Sequence, residues 1–193
     1  YPAMAERGYG WEKLISEMFC QEYWAERGMK TAIARFHNVY GPNGTWDGGR
    51  EKAPAAICRK VIEARQTGRH EITIWGTGEQ TRSFMYIDDC TQGIDMIMHC
   101  DDLIATPINL GSNFLVSIND LVSLAEEIGG IKLNRRYDPD APKGVGGRNS
   151  DNTFIQQVLK WEPSTPLKDG LRRTYAWIEK QYTDRKAGKR TVS

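Results

Sequence analysis

The sequence predicts a mixed α/β chain in which strands and helices alternate, and three observations carry that expectation. Apolar residues recur at helical spacing through "GWEKLISEMFCQEYWAERG", where Leu14, Ile15, Met18, Phe19 and Tyr23 fall on successive turns. Short runs rich in β-branched and aromatic residues, "TAIARFHNVYG" and "EITIWG", lie between such helical stretches. Loops dense in Gly, Asn and Asp, of which "GPNGTWDGGREK" is the longest, separate the two patterns. Alternation of this kind is the signature of an α/β layer architecture, and no internal repeat interrupts it.

Taken in order, the first helix runs from residue 10 to 27, with Gly28 as its stop. Residues 31–41 read as a strand. Pro54 suits the first turn of a helix through "APAAICRKVIEARQTG", with Lys52 just before it and Lys60 within it. "EITIWG" is a strand, "TGEQ" a turn and "RSFMYI" a second strand; Asp88 and Asp89 are placed to cap the helix "CTQGIDMIMHC". "PINLG" reads as a strand, and "SINDLVSLAEEIGG" as a helix with Ser117 at its cap and Gly129 at its end. "IKLNRRYD" is one more strand. After the loop "PDAPKGVGGRNSD", the stretches "NTFIQQVLKW" and "LKDGLRRTYAWIEKQY" are helical in pattern, and the basic tail "TDRKAGKRTVS" is expected to fray.

The gross numbers exclude some functions. A net charge of +1 over 193 residues gives no bulk basic surface for nucleic acid or an anionic membrane, so an anionic ligand must be held by a few focused cations. No apolar run approaches the ~18–20 residues of a membrane span. Nor does the opening "YPAMAERGYGWEK" have the basic start and apolar stretch of a secretory signal. Cys20, Cys58, Cys90 and Cys100 are scattered with no C-x-x-C pair, and His37, His70 and His99 do not cluster with them, which argues against zinc. Sparse thiols suit a reducing compartment, so a cytoplasmic location is expected.

Two stretches point to chemistry. In "YGWEK", Tyr9 and Lys13 are four apart and share a helix face, an arrangement that an ordinary surface pair also produces. In "ARFHNVYGP", Asn38 stands at the carboxyl end of a strand beside a tight turn, the edge at which open α/β sheets bind ligands. With "WGTGEQTRSFMYIDD", "INLGS", "GRNSD" and "TPLKDGL" following in order, the chain resembles the extended short-chain dehydrogenase/reductase family, which contains the nucleotide-sugar epimerases and dehydratases.

The resemblance implies the C-terminal half of such an enzyme. Residues 1–44, interleaved with segments near 80–110, would complete an NAD-binding Rossmann domain; residues 45–183 would form mainly a smaller α/β sugar-nucleotide-binding domain; and 184–193 a flexible tail. It implies NAD as cofactor. Tyr9 would be the catalytic base and Lys13 the cation that favours its phenolate, both also meeting the cofactor. "GGREKAPAA" narrows the likeness to members that invert two carbons of a GDP-linked hexose by transient oxidation at C4, proton exchange at C3 and C5, and re-reduction. There Lys52 would be the acid that reprotonates the opposite face. Its cysteine partner belongs upstream of Tyr9, and none of the four present matches it.

Asn38, Lys60, Arg82 and Arg148 would hold the nucleotide diphosphate, with Glu51, Ala53, Gln80 and Thr81 as neighbours of the sugar nucleotide. Structural ion pairs to Asp88, Asp89 or Asp151 are the alternative for the two arginines, and a solvated helix position is the alternative for Lys60. A homodimer through the helix carrying Tyr9 is also implied. Other readings stay open: a UDP-sugar 4-epimerase, a 4,6-dehydratase, or a sugar-nucleotide-binding module without activity of its own.

Some features depart from the family or call for a plain reading. "GTGEQT" imitates a dinucleotide fingerprint but joins two strands. His37 is expected to be packed, and Cys58 and Cys90 to line helix faces. The family's G-x-x-G-x-x-G turn and the Ser/Thr of its triad are not in the sequence; Gly146 stands where an arginine is usual, and the segment after Lys60 is slightly longer.

Overall fold

The computed structural model describes residues 7–141 and 146–192; residues 1–6, 142–145 and 193 lie outside the described set. Helix α1 (Arg7–Arg27) ends at Gly28, whose φ of +64° is the left-handed turn glycine provides at low cost. The expected strand 31–41 is two short ones, β1 (Ile33–Phe36) and β2 (Val39–Tyr40). Helix α2 (Ala53–Thr67) follows, with Pro54 in its first turn and Gly68 as its left-handed cap. Then come β3 (Glu71–Trp75), β4 (Thr81–Arg82), β5 (Met85–Tyr86) and α3 (Ile87–Met98). A 3-10 turn (Asp101–Leu103) leads to β6 (Pro107–Leu110), β7 (Val116–Ser117), α4 (Ile118–Gly129) and β8 (Asn134–Asp138). Helices α5 (Thr153–Leu159) and α6 (Leu167–Lys186) complete the order.

The strands pair two by two. β1 runs parallel to β6, β2 to β5 and β3 to β8, while β4 and β7 are antiparallel. The break at His37–Asn38 has a physical cause: the chain changes partner there. His37 donates its N–H to Leu110 O at 3.0 Å, whereas Asn38 O accepts from Met85 N at 2.8 Å. The expected strand 82–87 breaks in the same way, because Ser83 N–H turns to Arg148 O at 3.2 Å.

Two apolar clusters hold these elements. One joins α2, α4 and α6 over β3, through Val61, Ile62, Leu121, Val122, Leu171 and Ile178. The other packs α3 and α5 on β5 and β6, through Met85, Cys90, Ile97, Ile108, Leu110 and Ile155. Gly93 of α3 permits this approach: a Cβ there would stand 2.5 Å from Leu110 Cδ1. Cys58 and Cys90 are buried in the two clusters, as expected of helix-face packing, and His37 lies against Gly111. Helix α1 is tied to β1 by Arg35 Nε donating to Glu17 Oε1 at 2.7 Å, and to the turn before it by Thr31 Oγ1 donating to Cys20 O at 3.1 Å. Among the described residues no helix is long and apolar enough to cross a membrane.

Two local expectations are corrected. Helix α3 starts at Ile87 with Tyr86 in the cap position, so Asp88 and Asp89 occupy the first turn rather than the cap. Asp88 there complements the helix's positive end, and buried Asp89 instead accepts the Thr165 N–H at 3.0 Å. Residues 184–186 are the last turn of α6 rather than tail. Beyond them the chain folds back, and Val192 O accepts from the buried Trp46 indole at 2.6 Å. The Ser117 cap on α4 is as expected, its hydroxyl accepting the Asp120 N–H at 3.0 Å.

Candidate functional site

A cavity of about 450 Å³ opens between the start of α2, strand β3 and the β4 edge. The loop before α2 turns through Gly48 and Gly49, at φ +93° and +84°, and delivers Glu51 and Lys52 to the cavity rim. Glu51 is fixed from two sides: Oε2 accepts the Gly49 N–H at 2.7 Å and Oε1 accepts Arg59 Nη2 at 2.9 Å. Burial alone would raise this carboxyl, but hydrogen bonds from its own N–H, from Arg59 and from Gly49 hold it below the usual glutamate range. Lys52 caps α2 through its main chain, its C=O accepting the Ala56 N–H at 3.0 Å. Its exposed side chain makes no hydrogen bond or ion pair with a described residue, and it lines the cavity beside Ala53. The ammonium is therefore available.

Lys60, two turns further along α2, reaches across to β3, where Nζ donates to Thr73 O at 2.9 Å. Burial, helped by the neighbouring Arg59 charge, pulls its pKa below the ordinary lysine value. Gln80 donates to Trp75 O at 2.7 Å, Arg82 Nη1 to Thr81 O at 2.6 Å, and Asn38 Nδ2 to Ser83 O at 3.2 Å. All three line the same cavity. The solvated-helix alternative for Lys60 does not describe its half-buried, bonded ammonium.

Other sequence-predicted residues lie elsewhere. Thr81 does not line the cavity; its N–H donates to Gly146 O at 3.0 Å. Arg148 sits behind β4, its carbonyl bonded to Ser83 N–H and its charge close enough to His37 that burial and that charge together lower the imidazole pKa. It makes no ion pair with Asp88, Asp89 or Asp151: Asp88 meets Arg173 at 3.5 Å, Asp89 takes the Thr165 N–H and Asp151 the Thr153 N–H. Tyr9 and Lys13 do share one face of α1, with Lys13 Nζ 5.1 Å from the Tyr9 ring centroid, yet Nζ also lies 3.2 Å from Glu12. Tyr9 is 74% exposed, and neither residue lines the cavity. Residues 76–80 join β3 to β4 and open no helix, so "GTGEQT" is not a dinucleotide fingerprint.

The sequence reading missed the cavity's apolar wall, Ile72, Ile74, Ile118 and Val122, and Trp75, which is 58% exposed at its mouth. It also missed Arg59, which links Glu51 to Glu63 at 2.9 Å and to Asp47 at 3.4 Å. The i,i+4 charge pair Arg59–Glu63 was the available signal. Cations on one side and an apolar wall on the other suit an anionic ligand with a flat or apolar part.

Comparison with known proteins agrees in kind. The model of the NAD dependent epimerase/dehydratase family matches residues 2–111. GDP-mannose 3,5-epimerase 1 of Oryza sativa subsp. indica is 45% identical over 181 residues, 94% of this chain and 46% of that protein. GDP-mannose 3,5-epimerase of Arabidopsis thaliana is 45% identical over 193 residues, 100% of this chain and 49% of that protein. Among solved structures, UDP-glucose 4-epimerase of Thermotoga maritima with UDP-glucose superposes with a TM-score of 0.80 at 28% identity, covering 90% of this chain and 54% of that one. UDP-glucuronic acid 4-epimerase of Bacillus cereus in complex with NAD gives 0.76 at 29%, covering 91% and 51%. The chain spans about half the length of the curated relatives it matches.

Proposed function

Because the chain belongs to the NAD dependent epimerase/dehydratase family, we propose that it is the sugar-nucleotide-binding half of a cytoplasmic GDP-hexose epimerase, most similar in action to a GDP-mannose 3,5-epimerase. The observation that carries this reading is the convergence of Asn38, Glu51, Lys52, Lys60, Gln80 and Arg82 on one cavity. Thr81 and Arg148 do not line this cavity and support it indirectly, Thr81 beside Arg82 in β4 and Arg148 through its carbonyl on Ser83 N–H. Arg82 and Lys60 neutralise the diphosphate, and Asn38 with Gln80 orients it. Trp75 and the apolar wall accept the flat base. Lys52, without a partner among the described residues, delivers a proton from Nζ to the enolate carbon left when a base of the whole enzyme, outside this chain, removes the proton that the neighbouring ketone acidifies. Glu51, pinned by Arg59, fixes the backbone from which Lys52 projects.

Tyr9 and Lys13 act at the other side of the sugar in the whole enzyme: Lys13 favours the phenolate form of Tyr9, whose Oη takes the hydroxyl proton and becomes the neutral phenol. NAD, held by that enzyme, supplies the reversible hydride acceptor. The exposed apolar stripe of α1 is the proposed homodimer contact.

The test has two arms. Calorimetry on this chain compares GDP-linked with UDP-linked sugars, and the expected result is preference for the GDP series. Full-length enzyme is then incubated with GDP-mannose in deuterated water, and deuterium is expected at C3 and C5. Lys52→Ala should reduce that exchange by roughly 10²–10⁴-fold, the range of a lost general acid. Absence of deuterium at C3 and C5, or preference for UDP-sugars, favours the simple 4-epimerase represented among the solved neighbours, and exchange that survives Lys52→Ala removes Lys52 as the acid.

A further inference from the structure

The loop that carries Glu51 and Lys52 does not hold its position by local contacts alone. Trp46, at its centre, is 1% exposed and lies under the far end of the chain. After α6 the backbone reverses at Gly188 (φ +72°), secured by Lys189 N–H donating to Asp184 O at 2.9 Å. Residues 189–192 then run back over the loop. The Trp46 indole donates to Val192 O at 2.6 Å, and Val192 N–H donates to Gln181 Oε1 at 3.0 Å. The Arg185 guanidinium stacks 4.2 Å from the Trp46 ring centroid, and Nη1 donates to Asp47 Oδ2 at 2.5 Å. Asp47 in turn faces Arg59 at 3.4 Å through its other oxygen, which also accepts the Gly48 N–H at 2.8 Å. Arg59 holds Glu51, next to Lys52. Charges alternate along the whole line: Arg185, Asp47, Arg59, Glu51.

We propose that Arg185 is a positioning residue for the cavity, and that residues 187–192 are a strap which, with Arg185 in the last turn of α6, clamps Trp46 and Asp47 and, through Arg59, sets where Glu51 and Lys52 stand. Arg185 touches no part of the cavity wall, so its influence passes through Asp47 and Trp46. Each neighbour has a second anchor: Gly48 and Gly49 leave the loop backbone torsionally permissive, and the ion pairs hold it to one arrangement. The functional half of this inference rests on the sugar-nucleotide reading of the cavity; the mechanical half does not.

The experiment follows amide deuterium uptake and GDP binding in the 193-residue chain and its variants. Arg185→Met keeps the aliphatic stem but removes the charge, and Asp47→Asn removes the opposite partner. Both are expected to raise uptake in residues 44–52 about tenfold, while α4 exchanges as before. Both are also expected to weaken GDP binding roughly fivefold, and Arg185→Lys, which keeps a cation near Asp47, should restore most of that affinity. Unchanged uptake in 44–52 for both variants overturns the proposal. So does an equal rise across α4, which marks general loosening, or faster loop exchange with GDP affinity intact. Should the unsubstituted chain fail to bind GDP while loop uptake still rises, the clamp stands and the sugar-nucleotide reading falls.

Discussion

Glu51 shows how a single side chain converts loop geometry into a charged site. Its carboxylate lies between a flexible glycine pair and a half-buried guanidinium, and it keeps its charge because three hydrogen bonds outweigh the cost of burial. Glu51→Gln leaves Arg59 facing an amide, and the expected loss is about 1–3 kcal/mol at neutral pH, read from urea unfolding. The pH dependence has a definite sign. With the folded-state pKa below the unfolded one, the contribution of Glu51 is fully present above the ordinary glutamate value and is lost as pH falls through the depressed one. The variant should therefore lie below the parent near neutrality and converge with it in acid. Parallel stability curves across the acid range would show that Glu51 is not the group responsible.

At the scale of elements, short strands gain their stability from neighbours rather than from length. β3 illustrates this: one edge pairs with β8, and on the other the carbonyls of Thr73 and Trp75 are taken by Lys60 and Gln80. Helix α4 depends in a comparable way on one hydroxyl. Ser117→Ala removes the acceptor of the Asp120 N–H, and the expected cost is about 0.5–2 kcal/mol, visible as a lower urea midpoint with an unchanged slope. This cap was legible in the sequence because capping is local. So were Gly28, Pro54 and every long helix, whose periodicity and end residues lie within a few positions of each other. The broken strands at 33–40 and 81–86 were not legible, because each break is made by a partner far along the chain: Leu110 for His37, and Arg148 for Ser83. The same division runs through the site. Glu51, Lys52 and Ala53 adjoin a helix start that the sequence marks plainly. Trp75 and Arg59 acquire their roles only when β3 packs beside α2, and the clamp from Arg185 to Asp47 joins residues 138 positions apart.

For the whole molecule, the two apolar clusters account for most large hydrophobic residues, and α1 is where that accounting leaves a remainder. Leu14 is buried, but Trp11, Ile15, Met18, Phe19 and Tyr23 are exposed, Phe19 by 61%. Spaced by four, three, one and four, they form one stripe along successive turns of the helix. A stripe of this extent on a water-facing helix is unusual for a monomer, and a two-fold axis would bury it against its own copy. Phe19→Glu places a carboxylate in the middle of that proposed contact. Since Phe19 is exposed in the single chain, fold stability should change by less than about 0.5 kcal/mol. Association should change far more, because two copies of the charge would meet across the axis and neither could be desolvated cheaply. Sedimentation equilibrium at micromolar concentration should give twice the chain mass of 21.9 kDa for the parent and the single-chain mass for the variant. A parent that stays at the single-chain mass throughout, or a variant that still doubles, removes α1 as the contact between copies.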